Sequence, residues 1–154
     1  MSEANSVLAD LQAKIGQELG VSDWALMHQD RITKFADVTE DHQFIHIDEQ
    51  KAKMFTPFGG TIAHGFLTLS MLSRFAETGL PNVPGAKMGM NYGLNKVRFL
   101  SPVPSGAKIR GRFTLTSAEE KNPGQLLLCH TVTVEIDGGS KPAAIADWLS
   151  LIFI

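Results

Sequence analysis

The chain has 154 residues, the length of one ordinary domain and enough to bury a continuous core. With 14 Lys plus Arg against 16 Asp plus Glu the net charge is -2, and no basic run marks a nucleic-acid footprint, so no nucleic-acid partner is expected. The single cysteine, Cys129, excludes an intrachain disulfide, the opening Met1-Ser2-Glu3-Ala4-Asn5 lacks the features of a signal peptide, and no window holds about 18 uninterrupted apolar residues. The expectation is a soluble, cytoplasmic protein with no membrane partner.

Residues 7–19 place Leu8, Leu11, Ile15 and Leu19 at helical spacing, with Asn5 or Ser6 as cap and Gly20 as stop, which predicts an N-terminal helix within residues 1–22. A short extended piece around residues 24–27 leads into a second helix at about 30–38, lined by Ile32, Phe35 and Ala36. Next comes Asp41-His42-Gln43-Phe44-Ile45-His46-Ile47-Asp48. An acid and an imidazole among large apolar side chains form the setting in which proton-transfer groups are tuned. On one continuous helix Asp41 and His46 would lie roughly 140° apart, so cooperation between them requires a loop. The alternation predicts a short extended turn, with Ile45 and Ile47 inward and His46 and Asp48 turned the other way. Asp48 then caps a brief helix through Met54.

Phe58-Gly59-Gly60-Thr61-Ile62-Ala63-His64-Gly65 reads as a turn before a helix; without Gly-Lys-Ser/Thr it is no phosphate loop. Over 65–78, apolar residues from Phe66 to Ala76 cover nearly the whole circumference, which predicts a buried central helix ended by Gly79 and Pro81. Residues 86–100, 107–120, 126–136 and 143–154 read as four antiparallel strands, separated by Pro- and Gly-rich turns. Together with the piece near Trp24, they predict one α+β unit in which a sheet curves around the helix. The helix side left uncovered needs a partner.

Three of these segments carry a resemblance. Asp41-x4-His46-x-Asp48, Phe58 to Gly65, and Asn91-Tyr92-Gly93-Leu94-Asn95-Lys96-Val97-Arg98-Phe99 with Pro102-Val103-Pro104 resemble the MaoC-like dehydratases of the hotdog superfamily. The subgroup is that of (R)-specific enoyl-CoA hydratases and NodN-like proteins. The resemblance implies a single hotdog domain over 1–154, with a curved antiparallel sheet wrapped around a long central helix and two units joined edge to edge as a homodimer. It implies reversible hydration of a trans-2-enoyl-CoA to the (R)-3-hydroxyacyl-CoA, with no metal and no other cofactor.

Asp41 and His46 fall on the motif positions that hold a water between them. A carboxylate there accepts a proton as water attacks C3, while a protonated imidazole supplies one to C2. The Gly65 N–H, at the helix start, falls on the position that polarises the thioester oxygen. The family's Asp-x-Asn-Pro-x-His departs here to Gln43-Phe44: Gln43 is expected to offer its amide to substrate or water, and Phe44 to narrow the acyl pocket. Arg98 is a candidate contact for the CoA phosphates. His64 is a buried structural histidine or a substrate contact. His42, His46, Asp48 and His64 show none of the helix-based metal spacings, so no metal site is expected. Two rival readings are a hotdog thioesterase, which would release free CoA, and a non-catalytic acyl-binding protein of the NodN type.

Overall fold

A computed structural model describes residues 2–154. Helix α1 (Glu3–Gln12) begins where the Ser2 hydroxyl accepts the Asn5 N–H, and it turns Ala4, Val7 and Leu11 inward. The helix expected within 1–22 therefore starts and ends earlier than its periodicity suggests. The chain reverses at Gly16, where φ is 88°, and Leu19 belongs to a strand, β1 (Glu18–Val21). An open sheet edge decides this: Gly16 N–H donates to Leu115 O, and Leu115 N–H donates to Gln17 O. Ile15, counted on the inner face, is exposed. Gly20 does not stop a helix; it sits in β1, where a Cβ would lie 1.9 Å from the Gly79 carbonyl oxygen.

Strand β2 (Ala25–Met27) and helix α2 (Gln29–Thr39) follow as expected, with His28 Nδ1 accepting the Arg31 N–H as the cap of α2. Short helices α3 (Phe44–Ile47) and α4 (Glu49–Phe55) come next, and Asp48 caps α4 by accepting the Lys51 N–H at 3.0 Å. The helix expected over 65–78 is present as α5 (Gly65–Ser70) and α6 (Leu72–Gly79), interrupted at Met71, whose N–H is shared between the Leu67 and Thr68 carbonyls. It is not covered all round, since Phe66 is 70% exposed.

The four long strands lie close to their expected limits: β3 (Met88–Phe99), β4 (Ala107–Asn122), β5 (Gln125–Ile136) and β6 (Ala144–Phe153). With β1 and β2 they form one antiparallel sheet in the order β1-β4-β5-β6-β3, β2 also pairing with β4. Along β4, Ile109, Gly111, Phe113 and Leu115 are buried in alternation with Arg110, Arg112 and Thr114. Leu67, Met71, Leu72 and Phe75 share one core cluster with Phe113 and Val132, so the interrupted helix lies across a face of the sheet. A second cluster packs Val7 and Leu11 of α1 on Leu115, Leu126 and Leu128. Among the described residues, no helix is long and apolar enough to cross a membrane.

Candidate active site

Glu40 ends α2 in the left-handed conformation, with φ 61°, and the chain turns there to bring Asp41 ahead of α3. The segment expected to be extended is a single helical turn, and its orientation differs from the alternation. His46 is 6% exposed and Ile47 is 41% exposed. Polar partners inside the fold explain the inversion. His46 Nδ1 lies 2.7 Å from Ile62 O, the His46 carbonyl accepts the Gln29 amide at 2.7 Å, and Gln29 Oε1 accepts the Thr61 hydroxyl. Backbone bonds from Ile62 N–H to Ile45 O and from Ala63 N–H to Val103 O join all three motifs at one place.

His64, which immediately precedes α5 without a side-chain capping bond, stacks on His46 with ring centroids 3.7 Å apart. Its Nε2 is 3.0 Å from the Asp41 carbonyl oxygen and 3.9 Å from the Asp41 carboxylate. Because both carbonyls can only accept, neutral His46 carries its proton on Nδ1 and His64 on Nε2. His46 Nε2 is then the free basic atom, while His64 Nδ1 is buried without a partner among the described residues. Burial lowers the His46 pKa, opposed by the hydrogen bond to Ile62 O; the nearby His64 adds to the lowering and the Asp41 carboxylate counters it. Asp41 itself is exposed, so the site opens to solvent at its carboxylate.

One ligand atom each from Asp41, His46 and His64 lies within 4.8 Å of the others. Helix-based spacings could not show this gathering, because His64 comes from a different segment than Asp41 and His46. The His64 atom nearest the carboxylate is already engaged by the Asp41 carbonyl.

The Gly65 N–H, first in α5, has no acceptor among the described residues. A Cβ at this position would come within 3.2 Å of the Phe99 ring. A groove of about 320 Å³ runs past it, lined by Ile45, His46, Gly65, Thr68, Phe99 and Val103. Gln43 and Phe44 do not line this groove: Gln43 is exposed, with its N–H 3.4 Å from Asp41 Oδ1, and Phe44 meets Phe55 edge-on at 6.3 Å. Arg98 is also outside it, exposed, with its guanidinium on the Val97 carbonyl. Phe99 and Val103 line the groove although the sequence marks them only as parts of the strand motif and of the following Pro102-Val103-Pro104. Thr68 carried no such signal.

Residues 10–137 match the family model described as MaoC like domain. Nodulation protein N of Rhizobium leguminosarum bv. viciae is 49% identical over 145 residues, covering 94% of this chain and 90% of its own. The 3-hydroxyacyl-thioester dehydratase Z of Mycobacterium tuberculosis is 44% identical over 140 residues, 91% of each chain. A solved structure, an (R)-hydratase from A. caviae involved in PHA biosynthesis, superimposes with a TM-score of 0.66 at 25% identity, over 87% of this chain and 97% of that one. The α+β architecture, with its antiparallel sheet and overlying helix, is therefore the hotdog fold. With this fold, and with most of its length matched, the chain belongs to the MaoC-like dehydratase family of hydro-lyases.

Proposed function

We propose that the protein is an (R)-specific enoyl-CoA hydratase, adding water reversibly to trans-2-enoyl-CoA with Asp41 and His46 as its acid/base pair. The observation that supports this best is buried His46 with its Nε2 free, lining the same groove as Gly65 and having a ring nitrogen within 4.8 Å of an Asp41 carboxylate oxygen. In hydration, Asp41 takes a proton from water as its oxygen bonds to C3. The double-bond electrons move toward the thioester oxygen, and His46 as imidazolium delivers a proton to C2. A proton then passes from Asp41 to His46 and restores both groups. In dehydration neutral His46, the form that burial favours, takes the C2 proton, and Asp41 protonates the leaving hydroxyl. The Gly65 N–H meets the charge that develops on the thioester oxygen; a donor in that role is worth about 2.7–4 kcal/mol.

The pair is tested with crotonyl-CoA by loss of the conjugated-enoyl absorbance. Asp41→Asn and His46→Gln should each lower the rate about 10²- to 10⁴-fold, while free CoA stays at background. Parental rates in both variants would remove the pair from the mechanism, and CoA release matching enoyl loss would point to a thioesterase.

A homodimer and a cytoplasmic location belong to the same proposal. Strand β3 ends the sheet, and Met88, Met90, Tyr92 and Leu94 recur along it as exposed apolar side chains, which supports pairing with a second copy. The relative named Nodulation protein N carries no reaction in its name, so acyl-CoA binding without turnover is the second reading. Saturable binding of an enoyl-CoA that is never hydrated would favour it.

A further inference from the structure

Beyond Thr68 the helix borders two further depressions. The first, about 230 Å³, is lined by Leu69, Leu72, Ser73, Asn91, Leu94 and Trp148. The second, about 680 Å³, shares Ser73, Asn91 and Trp148 with the first and continues past Ala76 to His130 and α1. Its charged residues, Asp10, Lys14, Glu77 and Lys87, are exposed and balance in sign, so the cavity does not call for a charged ligand. Deeper in, Leu11, Leu128 and Ile152 make the lining apolar.

His130 is the exception there. It pairs across β5 and β6 with Trp148, is 5% exposed, and its Nδ1 is buried with no hydrogen-bond partner among the described residues. The indole beside it is satisfied, Trp148 Nε1 donating to Asn91 Oδ1 at 3.0 Å. Burial lowers the His130 pKa to about 4, so near neutral pH the ring is uncharged, with one donor and one acceptor nitrogen. A half-turn about χ2 exchanges the nitrogen that faces the cavity. Nδ1 is the nitrogen enclosed by protein, so the ring offers the cavity its other nitrogen, Nε2, or Nδ1 after that half-turn, and a ligand group there gains a hydrogen bond shielded from bulk water.

We propose that the large cavity receives the far end of the acyl chain and that His130 recognises a hydroxyl group carried there. A hydroxyl both donates and accepts, so it suits either tautomer of the ring. The inference rests on the hydratase reading, which sets the thioester at Gly65. Ser73 and Ala76 lie eight and eleven residues further along the helix, roughly 12–17 Å at its rise per residue. An extended chain advances about 1.2 Å per bond, which places the hydroxyl roughly ten to fourteen bonds from the thioester carbonyl. His130 is thus assigned as a specificity-determining residue, outside the chemistry itself.

The test compares two trans-2-enoyl-CoAs of about twelve carbons, identical except for a terminal hydroxyl. The parent should show a kcat/KM at least about tenfold higher for the hydroxylated chain. His130→Leu should abolish that preference, and His130→Gln, which keeps hydrogen-bonding atoms, should retain part of it. The readout is the ratio of the two substrates within one preparation, so partial unfolding of a variant cancels. Binding of the two corresponding saturated acyl-CoAs, followed by intrinsic tryptophan fluorescence, makes the same comparison without turnover and separates this inference from failure of the hydratase reading. Equal binding and equal kcat/KM for the two chains in the parent, or a preference that survives His130→Leu, overturns it.

Discussion

Three of the five histidines are buried, in different ways. His46 and His64 each aim one ring nitrogen at a backbone carbonyl, whereas His130 Nδ1 finds none. For His130 the consequence is a pH-dependent stability. The ring takes up a proton near pH 6.5 in the unfolded chain and near pH 4 in the folded one. Between those values the unfolded state binds more protons, so the stability from neutral burial is present above pH 6.5 and is lost as pH falls toward 4. The loss amounts to about 3 kcal/mol. Urea midpoints measured from pH 7 down to 4 should fall for the parent and fall less steeply for His130→Leu. His46, also lowered by burial, contributes in the same direction. Residue types made Asp41 and His46 candidates for one site, and their ligand atoms do lie within 4.8 Å of each other. The His64 ring stacked on His46 was not legible, because no local periodicity connects two residues whose segments meet through the Ile62 N–H to Ile45 O bond.

At the scale of elements, the strands β3 to β6 were legible because each is long, rich in strand-forming side chains and bounded by turn residues. The N-terminal segment misled because Leu8, Leu11, Ile15 and Leu19 satisfy a helical period that tertiary contacts override after Gln12. Arg112 helps hold β1 in the sheet, its guanidinium bridging Glu18 on β1 and Glu135 on β5. Gly20→Ala tests the approach of β1 to α6: its Cβ would meet backbone oxygen, which cannot swing aside as a side chain does. Destabilisation of at least about 1–3 kcal/mol is expected in urea unfolding. Asp48→Ala removes the side-chain acceptor at the start of α4 and should cost about 1 kcal/mol in the same assay.

For the whole molecule, the proposed homodimer rests on the free edge of β3. The strand bonds to β6 on one side only, while its apolar side chains are exposed. Lysine on such an edge opposes pairing through charge and solvation. Sedimentation should therefore show a dimer for the parent and a shift toward monomer for the double variant Met90→Lys, Leu94→Lys. An unchanged sedimentation coefficient would place the interface elsewhere.

Composition, turn chemistry and three ordered motifs were enough to determine the α+β class and the strand limits, which follow from local pattern, and to single out Asp41 and His46 as the candidate acid and imidazole. Only the tertiary structure decided the sheet order, in which β3 lies beside β6, the burial of His46 against the Ile62 carbonyl, and the gathering of His46, Gly65 and Phe99 around one groove. Those depend on contacts between residues far apart in the chain, where hydrogen-bond satisfaction and packing outweigh the preferences of any single segment.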